Sequence, residues 1–475
     1  MAKLLIIFLY CICANGEQFN LQGDAGLAYS VEVIMGHPHQ KINLLIDTGS
    51  TTLAVASYSR QDSDKYFDAN NSSSIYDSGK KVQATYFEGK WIGRLVSDYI
   101  QLPSMPLVPE VRTDMALIME SHNFFMNGSQ WQGLLGLAYL PVGARGADVI
   151  VESWLDSLDR TLTRPVSFQL KLCATLSTQN ATHYGNFQIL DGKQKNENLN
   201  KSYRTTIIQK RWYEVGVLSV RVMRHVNKSS NPPDIDEHMC QTLNKIKAIV
   251  DSGTTNIRLP NCYFRQIVDD LRSAAQTSNM LITDDFWYAG ETGCWPEPQD
   301  WSLPWVAVDL LSYEADNQYF TLMLSPQNYM RVVAAQNSSG ESGTVSEYCY
   351  KLGFEKGGDE TVLGYTAMEG FQVLFNRSAG WIGWQTSDCG PNTKIMGPFV
   401  VSSSLKSKCK LIKSAPDSTI SIKAAQWALS AISVIAASIL LYLLYPCIKT
   451  LLTRRLRSPS QISMSQAALV EQEST

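Results

Sequence analysis

Two Asp residues stand at matching places in the two halves of the sequence. Asp47 closes an apolar run in INLLIDTGS (42–50), and Asp251 closes another in KAIVDSGTT (247–255). Each is followed by Thr-Gly or Ser-Gly. A carboxyl group at the end of an apolar strand is held rigidly in a partly dry place, and the Gly permits a tight turn with close backbone approach. Alone, such a group is a capped turn. Two brought face to face cannot both ionise cheaply, so they share a proton and titrate as a pair. One member is then a base and the other an acid toward a water molecule between them.

The elements that must position these groups repeat in the same order. The first half has GLLGL (133–137) after its Asp segment, and the second has TVLGY (361–365). A repeated pair of an Asp-ended apolar strand and a distant apolar-apolar-Gly predicts duplicated lobes. A third triplet, Asp77-Ser78-Gly79 in IYDSGKK, follows no apolar strand and precedes Lys80-Lys81, so it reads as a surface turn. Residues 20–400 are rich in short β-type runs such as YSVEVIM, VSFQLKL and YFTLML, separated by turn signals such as GHPH and NPPD. The expected fold is mostly β, with helices over 148–159 and 262–277; the second follows Pro260 and spaces Phe264, Ile267, Val268 and Leu271 helically. Polar KQKNENLNKS marks a boundary near 195–205, and a Pro-, Ser- and Lys-rich stretch marks another near 390–423.

Composition narrows the function classes. The 475 residues carry 41 basic and 44 acidic side chains, a net charge of −3, which argues against nucleic acid as main partner. At 18% charged and 44% hydrophobic residues, wholesale disorder is excluded. The six His residues form no HExxH pair, and His37 and His39 sit in a turn-like GHPHQ, so no catalytic metal and no cofactor are expected.

Both ends of the chain concern membranes. Lys3, the apolar run Leu4 to Cys13, and Ala14 and Gly16 come in the order of a secretory signal cut after residue 16. No charge occurs in the 25 residues between Lys423 and Lys449, a stretch long enough to span a bilayer. Trp427, Tyr442 and Tyr445 suit its interfaces, and Lys449, Arg454, Arg455 and Arg457 place the tail in the cytosol. The expected organisation is a signal (1–16), an N-terminal lobe (17–200), a C-terminal lobe (201–400), a stem (401–423), a transmembrane helix (424–446) and a cytoplasmic tail (447–475). Glycosylation sequons at Asn70, Asn71, Asn127, Asn180, Asn200, Asn227, Asn337 and Asn376 all precede the span. The ectodomain holds Cys173, Cys240, Cys262, Cys294, Cys349, Cys389 and Cys409; an odd count leaves one thiol beside at most three bridges, whose pairing the spacing does not choose.

At this level of detail the sequence resembles the pepsin-family aspartic proteases, and within them the membrane-bound β-secretase (memapsin) group. The resemblance is carried by DTGSTTLAV, TYFEGKWIGRL, NFFMNGSQWQGLLGLAY, RWYEVGVLSVRV, VDSGTTNIRLP, GCWPEP and TAMEGFQVLFNR, from about Asn20 to Cys409. It implies a bilobal fold with a cleft between pseudo-symmetric lobes. It further implies a catalytic pair of Asp47 and Asp251, oriented by Ser50 and Thr254, with Gly49 and Gly253 admitting substrate backbone. YFEGKW would be the flap tip, with Tyr86 over the scissile bond and Trp91 bonding its hydroxyl. Leu45, Phe124, Trp131 and Leu134 would line an apolar pocket; from the residues alone Phe124, Trp131 and Leu134 read as core. Arg258 and Tyr213 would contact substrate side chains. The implied bridges are Cys173–Cys389, Cys240–Cys409 and Cys294–Cys349, leaving Cys262 as a buried thiol.

The sequence departs from that pattern in places. Only Glu17 to about Leu21 precede the first strand, so inhibition by a pro-segment is not expected. Tyr365 stands where many pepsins have Asp after the second apolar-apolar-Gly. The tail lacks an acidic di-leucine, and Cys447 is a palmitoylation candidate no better than a plain interfacial Cys. The expected activity is endopeptidase cleavage of juxtamembrane stems of type I membrane proteins in the secretory pathway, by a monomeric ectodomain. General degradation is the second reading, and a silent binding ectodomain the third.

Overall fold

A computed structural model describes residues 19–24, 28–60, 63–139, 151–177, 182–190, 202–224, 234–275, 282–295, 303–337, 345–411 and 418–455. The signal segment, Asn180, Asn200, Asn227 and the tail beyond 455 lie outside them. The chain divides into two units, Met1–Ile412 and Lys413–Thr475.

The first unit is built mostly of strands. In each half, an Asp-ended strand runs parallel to the strand carrying the apolar-apolar-Gly. Gln40–Asp47 pairs with Gly133–Gly136, placing Asp47 opposite Gly136. Ala248–Val250 pairs with Thr361–Leu363 in the same sense. A further strand then crosses antiparallel, Leu53–Ala56 in the first half and Ile257–Leu259 in the second. Both run parallel to an outer strand, Val111–His122 and Phe354–Lys356 respectively. These central strands are apolar on both faces because both faces are covered, which is why they read as continuous runs rather than alternation. Gly136 sits where a Cβ would come within 2.4 Å of the Thr51 carbonyl carbon, and at Gly364 within 2.3 Å of the Asn256 oxygen; only Gly permits these crossings.

A 13-stranded sheet joins the halves. In it Ser167–Ser177 pairs with Thr182–Leu190 on one side and with Phe371–Asn376, from the far end of the unit, on the other. Phe168 and Phe375 stack across that seam at 4.7 Å, with Tyr213 edge-on to Phe375. Trp154–Leu162 is the first α-helix, capped by Ser153, and Asn261–Ala275 buries Phe264, Ile267, Val268 and Leu271. Asp77 to Gly79 lie not in a turn but in a bulge within the exposed strand Tyr76–Tyr86, where Asp77 pairs with Arg94.

Three disulfides close the unit: Cys173–Cys389, Cys240–Cys409 and Cys294–Cys349. The first two span 216 and 169 residues, so loop closure alone gives each roughly 4 kcal/mol or more. Cys262 is exposed on the first turn of its helix, not buried as expected, because its neighbours Tyr263 and Phe264 take the inward face. Leu405, Cys409 and Leu411 pack into a second apolar cluster with Leu218 and Tyr319. That packing holds the chain against the unit as far as Leu411.

In the second unit, Ser418–Arg455 forms one helix. Its segment Leu429–Pro446 is long and apolar enough to cross a membrane, the one such helix among the described residues, and it is exposed throughout. Cys447 lies within this helix.

Candidate active site

The two Asp-bearing turns meet. Asp47 accepts hydrogen bonds from Gly49 N at 2.8 Å and from the Ser50 hydroxyl. Asp251 accepts from Gly253 N at 2.8 Å and from Thr254 Oγ1 at 2.7 Å. Both carboxyl groups are buried in the residue sense, at 6% and 9% exposure. Each Gly faces the opposite carboxylate: a Cβ on Gly49 would lie 2.6 Å from Asp251 Oδ1, and one on Gly253 would lie 2.4 Å from Asp47 Oδ1. The glycines therefore make room for the partner carboxylate, a role more specific than the expected one of admitting substrate backbone. Burial, and then the nearby charge of Asp251, push the Asp47 carboxyl up to about 7; the Ser50 and Gly49 hydrogen bonds act against this.

Two residues absent from the sequence expectation hold the turns together. Thr48 N donates to Ser252 Oγ (3.1 Å) and Ser252 N donates to Thr48 Oγ1 (2.9 Å). Each hydroxyl then donates onward, Thr48 to Val250 O and Ser252 to Ile46 O. The signal was a hydroxyl residue between Asp and Gly in both triplets.

The pair opens into a cleft of about 1150 Å³ lined from both halves of the unit. A hairpin of Tyr76–Tyr86 and Gly89–Gln101 hangs over it, with Phe87 and Glu88 at its tip. Tyr86 is half-buried beneath the tip; burial and the nearby Asp47 raise its hydroxyl pKa well above the ordinary value. The Trp91 indole N–H is buried beside it and eases the phenol's ionisation, yet it makes no hydrogen bond of good geometry, short of the expected bond to the hydroxyl. Leu45, Phe124, Trp131 and Leu134 all line the cleft, and Phe124 packs between Tyr86 (5.5 Å) and Trp131 (5.7 Å).

Arg258 also lines the cleft, held by Glu355. Its guanidinium lies 4.1 Å over the Phe87 ring and 3.7 Å from Glu88, so it touches the hairpin tip. Tyr213 does not face the cleft. Its ring is fully buried in the central seam and its hydroxyl donates to Leu137 O, because the neighbouring Trp212 takes the outward position. Trp212 lines the cleft between Arg211 and Lys247, each 4.3 Å from its ring.

This arrangement can hold an extended chain across two carboxyl groups that share a proton. Residues 28–386 match the family model described as eukaryotic aspartyl protease. The chain belongs to that family. The protease is 32% identical over 397 residues to a β-secretase of Strongylocentrotus purpuratus, covering 80% of this chain and 70% of that protein. It is 29% identical over 137 residues to pepsin A-5 of Mus musculus, covering 28% of this chain and 35% of that one. It is 25% identical over the same length to pregnancy-associated glycoprotein 2 of Sus scrofa, covering 28% and 32%. The protease is an aspartic endopeptidase of the pepsin family and a β-secretase-like homologue with one candidate membrane helix.

At sequon positions, Asn70 and Asn71 are exposed on a short 3-10 turn, and Asn127 is exposed. Asn376 is half-buried and its side chain caps the turn at Ala379. Asn337 ends the strand Met330–Asn337.

Proposed function

We propose that Asp47 and Asp251 are the catalytic pair of a membrane-anchored endopeptidase that cuts the stems of other membrane proteins. The observation that carries the catalytic assignment is the facing of each carboxylate by the other turn's Gly, with hydroxyl donors on the outer oxygens. A pair this close takes up a first, shared proton as pH falls through about 7. The ionised member takes a proton from a bound water, whose oxygen attacks the peptide carbonyl. The protonated member gives its proton to the carbonyl oxygen. The tetrahedral diol then collapses as a proton passes to the leaving nitrogen, with no covalent enzyme intermediate. Ser50 and Thr254 hold the carboxylate planes, and Tyr86 and the hairpin tip cover the reacting bond and exclude water.

The preference for membrane-protein stems is supported by the apolar helix Leu429–Pro446 on the same chain and by the likeness to a protein named β-secretase. Residues 17–200 and 201–400 would act as the two lobes, in a secretory-pathway membrane, each molecule contributing a complete pair. The test is comparison of ectodomains released from cells expressing wild type or Asp251→Ala. Stem fragments present only with wild type support the reading. Equal release with cleavage of purified peptides retained only by wild type supports general degradation instead, and inactivity of wild type on every peptide removes the catalytic assignment.

A further inference from the structure

Outside the cleft, one cluster of side chains has the composition and spacing of a metal site. The turn between strands Ser30–Met35 and Gln40–Asp47 carries His37 and His39, and the segment preceding strand Val111–His122 brings Glu110 against them. His37 Nε2 lies 3.7 Å from Glu110 Oε2, and His39 Nε2 lies 3.6 Å from Glu110 Oε1. One ligand atom from each of the three residues lies within 4.8 Å of the others. We propose that His37, His39 and Glu110 form a surface binding site for a divalent transition-metal ion, zinc or copper, separate from the catalytic pair.

The separations are the first reason. At 3.6 Å and beyond, these atoms make no direct hydrogen bonds, yet each carboxylate oxygen faces a different imidazole. Ligands about 2.0–2.2 Å from a tetrahedral ion stand roughly 3.4 Å apart, so a carboxylate bound through both oxygens meets each imidazole nitrogen after a change of only a few tenths of an ångström. The two imidazole nitrogens come to the same spacing by rotation of the His39 ring, which is exposed.

Preorganisation is the second reason. His37 N donates to Ser72 Oγ (3.2 Å), and its carbonyl accepts from Ser73 N (2.7 Å) and Ser73 Oγ (3.0 Å). Its ring packs on Tyr99 with centroids 5.2 Å apart, and His39 lies 5.0 Å from it at 34°. Gly36, in the left-handed region at φ +67°, donates to Tyr99 O and starts the turn that puts both rings on one side. The scaffold thus fixes one imidazole and leaves the second free to adjust.

Ligand type sets the ion. Two imidazoles and one carboxylate suit zinc and copper rather than calcium or magnesium, which take oxygen. Three protein ligands leave a position for water, so binding is reversible rather than structural. His39 directly precedes the strand Gln40–Asp47, whose far end carries Asp47 roughly 23 Å away, so an ion there does not touch the cleft chemistry. It would tie the end of this hairpin to the segment before residue 111.

The test uses the full chain in detergent at neutral pH. Zinc titrated by calorimetry is expected to show one site whose affinity falls at least about tenfold in His39→Ala and in Glu110→Gln. Zinc is expected to raise the unfolding temperature of wild type but not of His39→Ala, and peptidase activity without zinc is expected to be equal in all three. Copper bound to wild type should show two coordinated nitrogens by electron paramagnetic resonance, and one in His39→Ala. Isotherms and copper spectra that are the same in wild type and both variants overturn the site, as does a wild type that binds neither ion saturably.

Discussion

Thr48 and Ser252, 204 residues apart, exchange a reciprocal pair of hydrogen bonds in which each backbone N–H donates to the other's hydroxyl. With the onward bonds to Val250 O and Ile46 O, four buried hydrogen bonds lock the two Asp turns into one rigid piece. The carboxylates are thereby positioned by backbone, not by flexible side chains. Thr48→Val keeps the shape but leaves Ser252 N–H and Val250 O unpaired, costing about 1–3 kcal/mol of stability for each. Displaced carboxylates should lower kcat by about 10²-fold. Steady-state kinetics and thermal unfolding of the variant check both; a variant with wild-type kcat would remove the positioning role.

Asp47 gives a pH dependence with a definite sign. Its folded pKa, about 7, lies above the ordinary 3.8, so the folded state holds a proton that the unfolded chain has lost. The resulting stabilisation is fully present below about pH 3.8 and is lost as pH rises through 7, with a slope of up to about 1.4 kcal/mol per pH unit. Asp47→Asn is expected to remove this slope and to lower kcat by at least about 10³-fold. Denaturant unfolding at stepped pH reads the first, and peptide cleavage the second.

A second buried pair lies away from the dyad, and its members oppose each other. Burial raises the Glu369 carboxyl to about 7, partly offset by the Tyr29 hydrogen bond (2.7 Å) and by Arg331. Burial, then the Arg331 charge, lowers the His183 imidazole to about 3, although its Nδ1 is 3.4 Å from Glu369 Oε1. Stability from Glu369 is lost as pH rises from 4.5 through 7, whereas stability from neutral His183 is lost as pH falls from 6.5 toward 3. Between pH 4.5 and 6.5 the two slopes cancel. Glu369→Gln should leave the His183 slope alone, so the unfolding temperature of the variant gains on wild type across that window. Parallel curves would sink this account.

Arg258 joins the second half of the unit to the hairpin tip through Phe87 and Glu88. The cation–ring contact is worth about 1–2 kcal/mol where it is shielded from water. Arg258→Met is therefore expected to raise KM about 5- to 30-fold by freeing the tip. Hydrogen exchange at residues 86–89 should quicken in the same variant. An unchanged KM together with unchanged exchange would show that the contact does not hold the hairpin.

Much of this arrangement was legible along the chain. Asp47 and Asp251 stood out because each ends an apolar run and each half repeats the apolar-apolar-Gly segment. The spacing and Pro260 predict a helix over 262–277, and the helix is Asn261–Ala275. Absent charge predicts a span over 424–446, and the apolar segment long enough to cross a membrane is Leu429–Pro446. Other features lacked a local signature. Tyr213 and Trp212 are adjacent aromatics, and only the pairing of Tyr213–Glu214 with its neighbours decides which ring is core and which lines the cleft. Cys262 differs from a buried thiol only by its place on the outer face of a helix.

The sequence by itself therefore determined the chemistry available: two carboxyl groups on duplicated apolar strands, an uncharged apolar stretch beyond residue 423, and the thiols for three bridges. Local composition is enough for that, because burial and periodicity are encoded residue by residue. Tertiary structure alone decided that Gly49 faces Asp251, that Thr48 clasps Ser252 and that Glu110 meets His37 and His39. Such contacts join segments tens to hundreds of residues apart, and their geometry is fixed by how strands cross and pack, which no short stretch of sequence specifies.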